Sequence, residues 1–334
     1  MPENVLLLST VTPVYRGEDY LAKLVAALVE LRERLAQEQS PVILAESIFV
    51  DDGAVDRSHE VLLELQREHP WIRVVALSRN FGQHPATIAG ILHSSGDWVA
   101  TLDEDLQHSP KYLIDMFQQV ARFGADVVYA NPSTPVHGSV LRDGASKLFK
   151  RVLATMSGNP AVRRFNSYRL VRGVVARAAA AVSSYDTYFD VALGWFSNSV
   201  ASIELPLVDH RYQSGGRSSY SWMELFRHAR RMLITSQVRV LRLGMVAGLG
   251  SLLLSFAAIM FVTLKKIISP GSIDVAGWPT LAIGILFFGG LTSFLVGICL
   301  EYMTVLVNNV QGRPTFLTID RSRDVVLRDW LMGK

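Results

Sequence analysis

A chain of 334 residues with a net charge of +3 and only 19 % charged residues has room for one large domain with added elements, or for two modest ones. No nucleic-acid-reading motif is found and the basic residues do not interleave with aromatics along a plausible strand, so nucleic acid is not expected as a partner. The single cysteine, Cys299, excludes an internal disulfide framework and is compatible with a reducing compartment.

In chain order, the first two hundred residues alternate between two periodicities. "VLLLSTVTPVY" reads as a buried strand; it lacks a basic leader and a small-residue cleavage site, so no signal peptide is expected there. "YLAKLVAALVELRERLAQ" has the spacing of an amphipathic helix, and "VILAESIFVDDG" that of a strand ending in two aspartates. The alternation continues through "SHEVLLELQREH", "IRVVALS", "PATIAGILHSS", "DWVATLDED", "PKYLIDMFQQVARF" and "ADVVYA". This rhythm predicts an α/β fold, a mostly parallel sheet with helices on both faces. Neither a repeat of solenoid length nor a low-complexity segment interrupts it.

Ligands of such sheets bind beyond the carboxyl ends of the strands. Pro13 and Tyr15 end the first strand, Asp51 and Asp52 the second, and Asp103 and Asp105 the fourth, so these residues are expected to converge on one crevice. Asp103, Glu104 and Asp105 stand side by side and repel one another unless a cation lies among them. Alternation along an extended segment predicts Asp103 and Asp105 on one face and Glu104 on the other. Two hard oxygen ligands suit Mg²⁺ or Mn²⁺, with a diphosphate completing the shell. The plainer reading of the triplet is a solvated turn before a helix that Ser109 and Pro110 would start. The second acidic strand end, "VDDGAVDRS", favours the functional reading. Arg79 and Asn80 either line a nucleotide pocket or are ordinary strand-end polar residues, and His84, His93 and His228 read as capping or packing residues.

Two stretches, Gly244 to Leu264 and Val275 to Leu300, contain no charged residue, and each meets the length of about 20 residues needed to span a bilayer. A buried core helix is the alternative, but the first stretch is apolar on every face. Arg227, Arg230, Arg231, Arg239 and Arg242 precede the pair and Arg313, Arg321, Arg323 and Arg328 follow it, against Lys265 and Lys266 between them. Positive-inside counting therefore places both flanks in the cytoplasm. Just before the first span, Trp222, Leu225, Phe226, Ala229 and Leu233 recur at helical spacing with arginines between, the pattern of a helix lying in the membrane interface.

Taken together, "TPVY", "VDDGAVDRS", "LSRNFGQHPATIAGILHSSGD", "TLDEDLQHSPKYL", "GGRSSYSWMELFRHA" and "EYMTVLVNNVQGRPTF" resemble, in the same order, the polyprenyl-phosphate glycosyltransferases of glycosyltransferase family 2. That group includes dolichyl-phosphate mannose synthases and bacterial undecaprenyl-phosphate glucosyl- and formamidoarabinosyltransferases. The resemblance implies a GT-A domain over 1–220, an amphipathic interfacial helix over 221–242, two transmembrane helices within 243–306 (about 243–265 and 275–302) and a cytoplasmic tail over 307–334. It also implies a multi-pass protein of the inner membrane that assembles as a homo-oligomer, a dimer or tetramer. Its activity would be inverting, metal-dependent transfer of one sugar from a nucleotide sugar to a polyprenyl phosphate, for cell-envelope glycan or lipid modification.

Carried onto this chain, the resemblance gives Pro13, Tyr15, Asp51, Asp52, Arg79 and Gln107 to the nucleotide sugar, and Asp103 and Asp105 to the metal and catalysis. Arg142, Lys147, Arg169, Arg217, Ser218 and Tyr220 fall to the acceptor phosphate, with Arg142 also counted as catalytic and Arg163 and Arg164 in the same pool of cations. Several positions depart from the usual pattern. "YNE" is "YRG" here, with Arg16 and Gly17; "DDGS" has Ala54; the acidic residue proposed as a base in many relatives is Ser167; and an expected arginine is Gln213. A silent nucleotide-sugar-binding scaffold is the alternative these departures raise; a polysaccharide synthase is the less favoured one, since no "QxxRW" motif is found and two spans are few for a polymer channel.

Overall fold

Why the chain alternates is visible in which residues it buries. The computed structural model describes residues 5–133, 165–183, 187–207, 238–269, 277–310 and 323–332. Helix α1 (Leu21–Gln37) buries Leu21, Leu24, Val25, Leu28, Leu31 and Leu35, a stripe of one helical face, and leaves its charged residues outside. The strand β1 (Leu6–Val14) and the second half of β2 (Val42–Asp51) are buried on both faces, as a sheet covered by helices on both sides requires, while Ile43 near the start of β2 is exposed.

The further elements are α2 (Ser58–Glu68), β3 (Ile72–Ala76), α3 (Gln83–Leu92), β4 (Trp98–Thr101), α4 (Leu113–Phe123), β5 (Val127–Pro132) and β6 (Arg169–Arg172). They are followed by α5 (Gly173–Val182), α6 (Phe189–Phe196) and β7 (Val200–Leu205). The strand order is β3-β2-β1-β4-β6-β5-β7. Only β6 runs antiparallel to its neighbours, so the sheet is mostly parallel, as the sequence pattern predicts. One apolar cluster joins α1, α2 and α4 to one face; the other joins α3, α5 and α6 to the opposite face. A register shift between Leu8 and Ser9 leaves Ala45 of β2 without a partner. Val42 and Leu44 before this bulge, and Phe49 after it, therefore face the same cluster despite their change of parity.

This order matters because β1 leads to β2 and β3 on one side while β4 lies on the other. The gap beyond the carboxyl ends of β1 and β4 is the topological switch point, where an open α/β sheet holds its ligand.

Helix α9 (Asp324–Met332) belongs to this same unit. Its Leu327 is buried against the core with Trp330 and Leu331 packed beside it. Both Asp324 oxygens accept from Arg172 Nη2 at 2.8 Å, and Arg323 pairs with Asp97 at 2.8 Å. The segment expected as a plain tail thus includes a docked helix.

A second unit holds α7 (Val238–Ile268) and α8 (Trp278–Val310), which contain apolar stretches of 21 residues each, Gly248–Ile268 and Thr280–Leu300. Small residues let the two helices approach: a Cβ on Gly248 would meet the Ser293 carbonyl oxygen at 2.4 Å, and one on Gly290 would meet Ser255 Oγ at 2.6 Å. Leu254, Phe261, Ile285 and Phe288 are exposed, and both helices are long and apolar enough to cross a membrane. The second helix begins at Trp278, later than Val275, and Pro279 stands in its first turn, where its missing N–H costs no hydrogen bond. Most of the interfacial stretch 221–242 lies outside the described residues.

Candidate active site

Four loops meet at the switch point, and carboxylates join them. After β2, Asp52 is almost fully buried, and its two oxygens accept from the backbone N–H groups of Phe81 (2.7 Å) and Gly82 (2.8 Å), fixing the loop after β3. Gly53 has φ +66°, and a Cβ there would lie 2.8 Å from Asn80 N, so glycine is required for this close approach. Asp51 accepts from Ala54 N–H and stands 2.7 Å from His59 Nδ1. Asp56 receives Ser58 and the Glu18 N–H, tying the loop after β2 to the loop after β1. Burial alone would raise its carboxyl, but the bonds from Ser58 and Glu18 hold it below the ordinary value.

The acidic triplet departs from the expected geometry. β4 ends at Thr101 and the chain turns through Glu104 and Asp105, with Leu106 at φ +61°. Alternation along an extended strand therefore does not apply. What separates Glu104 from its neighbours is the turn, which aims its carboxylate at the loop after β1, where it accepts from Tyr15 N (2.8 Å) and Arg16 N (3.2 Å).

Asp103 Oδ1 accepts from Gln83 Nε2 at 2.7 Å, and Oδ2 from the Ser167 hydroxyl at 3.2 Å. Its backbone N–H donates to Nδ1 of the buried His108, whose ring stacks on Tyr168 at 4.9 Å. Asp105 accepts from Gln107 N–H at 3.2 Å. Gln83 and Ser167 are neutral, so they orient Asp103 without cancelling its charge. Ser167 occupies the position expected to be acidic, and its hydroxyl serves the metal-type carboxylate instead. Among the described residues no three His, Cys, Asp or Glu side chains converge as a full ligand set. Two hard carboxylates at a strand end, oriented by neutral donors, fit a Mg²⁺ or Mn²⁺ ion that takes the rest of its shell from substrate and water.

The other expected residues are placed as follows. Pro13 is buried within β1 opposite Val50, whereas Tyr15 is 36 % exposed. The exposed Arg79 lies over the Phe81 ring, 4.2 Å from its centroid. Arg169 is turned inward: it pairs with Asp190, donates to Thr101 Oγ1 and lies over Phe189. Burial would weaken its charge, but Asp190 raises its pKa above the ordinary value; Tyr129, which also donates to Asp190, is pushed up by burial. Among the described residues this guanidinium is taken up by Asp190, Thr101 and Phe189. Its pattern position alone, without the burial, suggested the acceptor role. Arg142, Lys147, Arg163, Arg164, Gln213, Arg217, Ser218, Tyr220 and His228 lie outside the described residues.

Of the other expected roles, His93 caps its own helix through Ala89 O and His84 accepts from Phe189 N–H, as read from the sequence. Sequence reasoning passed over Gln83 and His108, and marked Gly17 only as a departure from the usual pattern. Gln83 stood within the quoted "SRNFGQHPA", but nothing in its spacing showed that it would reach across to the turn after β4.

A family model for glycosyl transferase family 2 matches residues 9–175, half of the chain and every loop described above. The chain belongs to glycosyltransferase family 2. Likeness to relatives extends further. It is 29 % identical over 316 residues to an undecaprenyl-phosphate 4-deoxy-4-formamido-L-arabinose transferase of Edwardsiella ictaluri, covering 94 % of both chains. It is 28 % identical over 313 residues to an uncharacterised glycosyltransferase of Synechocystis, covering 94 % of this chain and 95 % of that one. Among solved structures, mannosyl-3-phosphoglycerate synthase from Rubrobacter xylanophilus is similar with a TM-score of 0.46 and 17 % identity, covering 69 % of this chain and 73 % of that one. The family 2 domain is the GT-A type of α/β unit, and its crevice is the glycosyltransferase's candidate active site.

Proposed function

We propose that this glycosyltransferase moves one sugar from a nucleotide sugar to a polyprenyl phosphate, undecaprenyl phosphate in the first instance, with inversion at the anomeric carbon. The observation that carries the reading is that Glu104 ties the turn bearing Asp103 and Asp105 to the Tyr15 loop at the switch point of a chain that also has two outward-apolar helices. Tyr15 and Arg79 flank the nucleotide, and Asp51 and Asp52 act on it through the loops they hold. Asp103 and Asp105 would hold Mg²⁺ or Mn²⁺, which when bound neutralises the leaving diphosphate. No base is required at Ser167, because a phosphate monoester has a second pKa of about 6 and is already mostly dianionic at neutral pH. Positioning and charge stabilisation are then sufficient, with Arg142, Lys147 and Arg217 as the acceptor's cations and Arg169 left out.

Membrane insertion as a hairpin is supported by connectivity. The chain leaves the catalytic unit, runs through both apolar helices and returns to that unit at Arg323 and α9. A segment that starts and ends in one folded unit crosses a bilayer an even number of times. The arginines flanking the pair favour the cytoplasm for the catalytic unit. A cysteine at position 272 in a Cys299→Ser background should then react with an impermeant thiol probe from outside the cell, and one at position 333 should not.

The deciding experiment incubates the full chain in detergent with undecaprenyl phosphate, Mg²⁺ or Mn²⁺ and a panel of UDP-, GDP- and dTDP-sugars, following lipid-linked sugar by mass spectrometry. A glycosyl phospholipid from one donor, lost with Asp105→Asn or on chelation, is the expected result. Nucleotide binding without product from any donor would overturn the transferase reading and favour a silent binding protein.

A further inference from the structure

The departure at "YRG" has a structural counterpart in the acidic triplet. Gly17 does not have a positive φ, so its backbone does not demand glycine. Space does: a Cβ at position 17 would lie 3.0 Å from Glu104 Oε2 and 3.1 Å from Leu21 Cγ. The Glu104 carboxylate fills the place beside Gly17, where it receives two successive backbone N–H groups, Tyr15 at 2.8 Å and Arg16 at 3.2 Å. Successive N–H groups converging on one anion form a small electropositive nest. The Gly17 N–H in turn donates to Ser58 Oγ, and its carbonyl accepts from Tyr20 and Leu21 at the start of α1.

We propose that Glu104 is a positioning residue for donor binding and that Gly17 is its partner, kept small to admit it. Glu104 joins the loop that presents Tyr15 to the turn that presents Asp103 and Asp105, so the two sides of the donor site are set by one carboxylate. Positions 17 and 104 therefore act as one unit. The clamp itself stands on the geometry; its effect on donor binding rests on the nucleotide-sugar reading.

The test is a double-mutant cycle of Glu104→Ala, Gly17→Ala and the pair, made in the full chain in detergent, with Glu104→Gln as a milder variant. Amide exchange at Tyr15 and Arg16 reports the clamp without any ligand, while titration with UDP and GDP in the presence of Mn²⁺ reports the site. Each single substitution is expected to deprotect both amides and to weaken nucleoside diphosphate binding about tenfold, the effect of losing a hydrogen-bonded charge. The pair should be no worse than about tenfold, because with Glu104 gone the new Cβ meets only Leu21. Glu104→Gln should lose less, and the KM for the lipid phosphate should stay unchanged while that for the donor rises. Unchanged amide protection in Glu104→Ala, or a pair that is additive at about a hundredfold, would overturn the proposal. If neither nucleotide binds the unsubstituted protein, the functional reading fails, and the exchange pattern still judges the clamp.

Discussion

The two ends of β4, a strand of only four residues, handle charge in opposite ways. At the amino end, Asp97 is paired with Arg323, and Arg172 lies over Trp98 while binding Asp126 and Asp324. At the carboxyl end, Asp103 is held by a glutamine and a hydroxyl and Glu104 by backbone N–H groups. Cations tie the first end together and bring the C-terminal helix onto it. At the second end the groups that donate to the Asp103 and Glu104 carboxylates are neutral, the His108 ring stands 3.3 Å from Asp103 Oδ2, and the Arg169 cation is turned to Asp190 and Thr101 behind them. On the proposed function, stability and activity separate along one short strand, and each end can be tested by the change that should disturb only it.

The largest effect is expected at the carboxyl end. Asp103→Asn keeps the side chain's shape and both neighbours, so the melting temperature should move little while transfer falls by about 10²-fold or more. A loss of folding comparable to the loss of activity would break the proposed division. Next comes the buried pair behind the site. Asp190→Ala strands the Arg169 guanidinium and should cost about 3–5 kcal/mol in chemical unfolding followed by tryptophan fluorescence. Leu327→Ala, in the docked C-terminal helix, should cost about 2–4 kcal/mol, with activity per folded molecule retained. If Leu327→Ala instead abolished turnover in the folded protein, the amino end would have a role in catalysis that the geometry does not give it.

Much of this was legible in the sequence. The strand and helix rhythm, the acidic strand ends and the two apolar stretches are local patterns, and a local pattern records which face each residue buries. Glu104 shows where such reading stops. Its separation from Asp103 and Asp105 was expected from strand alternation, yet the strand ends two residues too early, and a turn with Leu106 in the left-handed region produces the separation. Its partners are 88 and 89 residues away, a distance over which spacing carries no information. Arg169 teaches the same lesson in reverse. A motif position marked it as an acceptor cation, but only the packing of α6 against the sheet reveals Asp190 beside it. The C-terminal helix was likewise read as a tail because its one fully buried residue, Leu327, gives no periodic signal by itself.

The smallest effect lies at Glu46, in the amino-terminal half of β2, and its sign can be worked out. Burial would raise this carboxyl, but hydrogen bonds from Arg73, the Ser95 N–H and the hydroxyls of Ser9 and Ser95 bring it below its ordinary value of 4.5. A carboxyl depressed in the folded state stabilises fully above the unfolded value and loses that contribution as pH falls through the folded one. The protein should therefore lose stability on acidification below about 4.5, and part of that loss belongs to Glu46. Glu46→Gln should cost about 1–2 kcal/mol at neutral pH and flatten the acid side of the stability curve. Unfolding measured at pH 7 and at pH 4 checks both, and donor turnover at pH 7 should be unaltered. A change in donor affinity with Glu46→Gln would mean that the polar knot joining β2, β3 and the segment before β4 reaches the crevice, and the two ends of the sheet would no longer be independent.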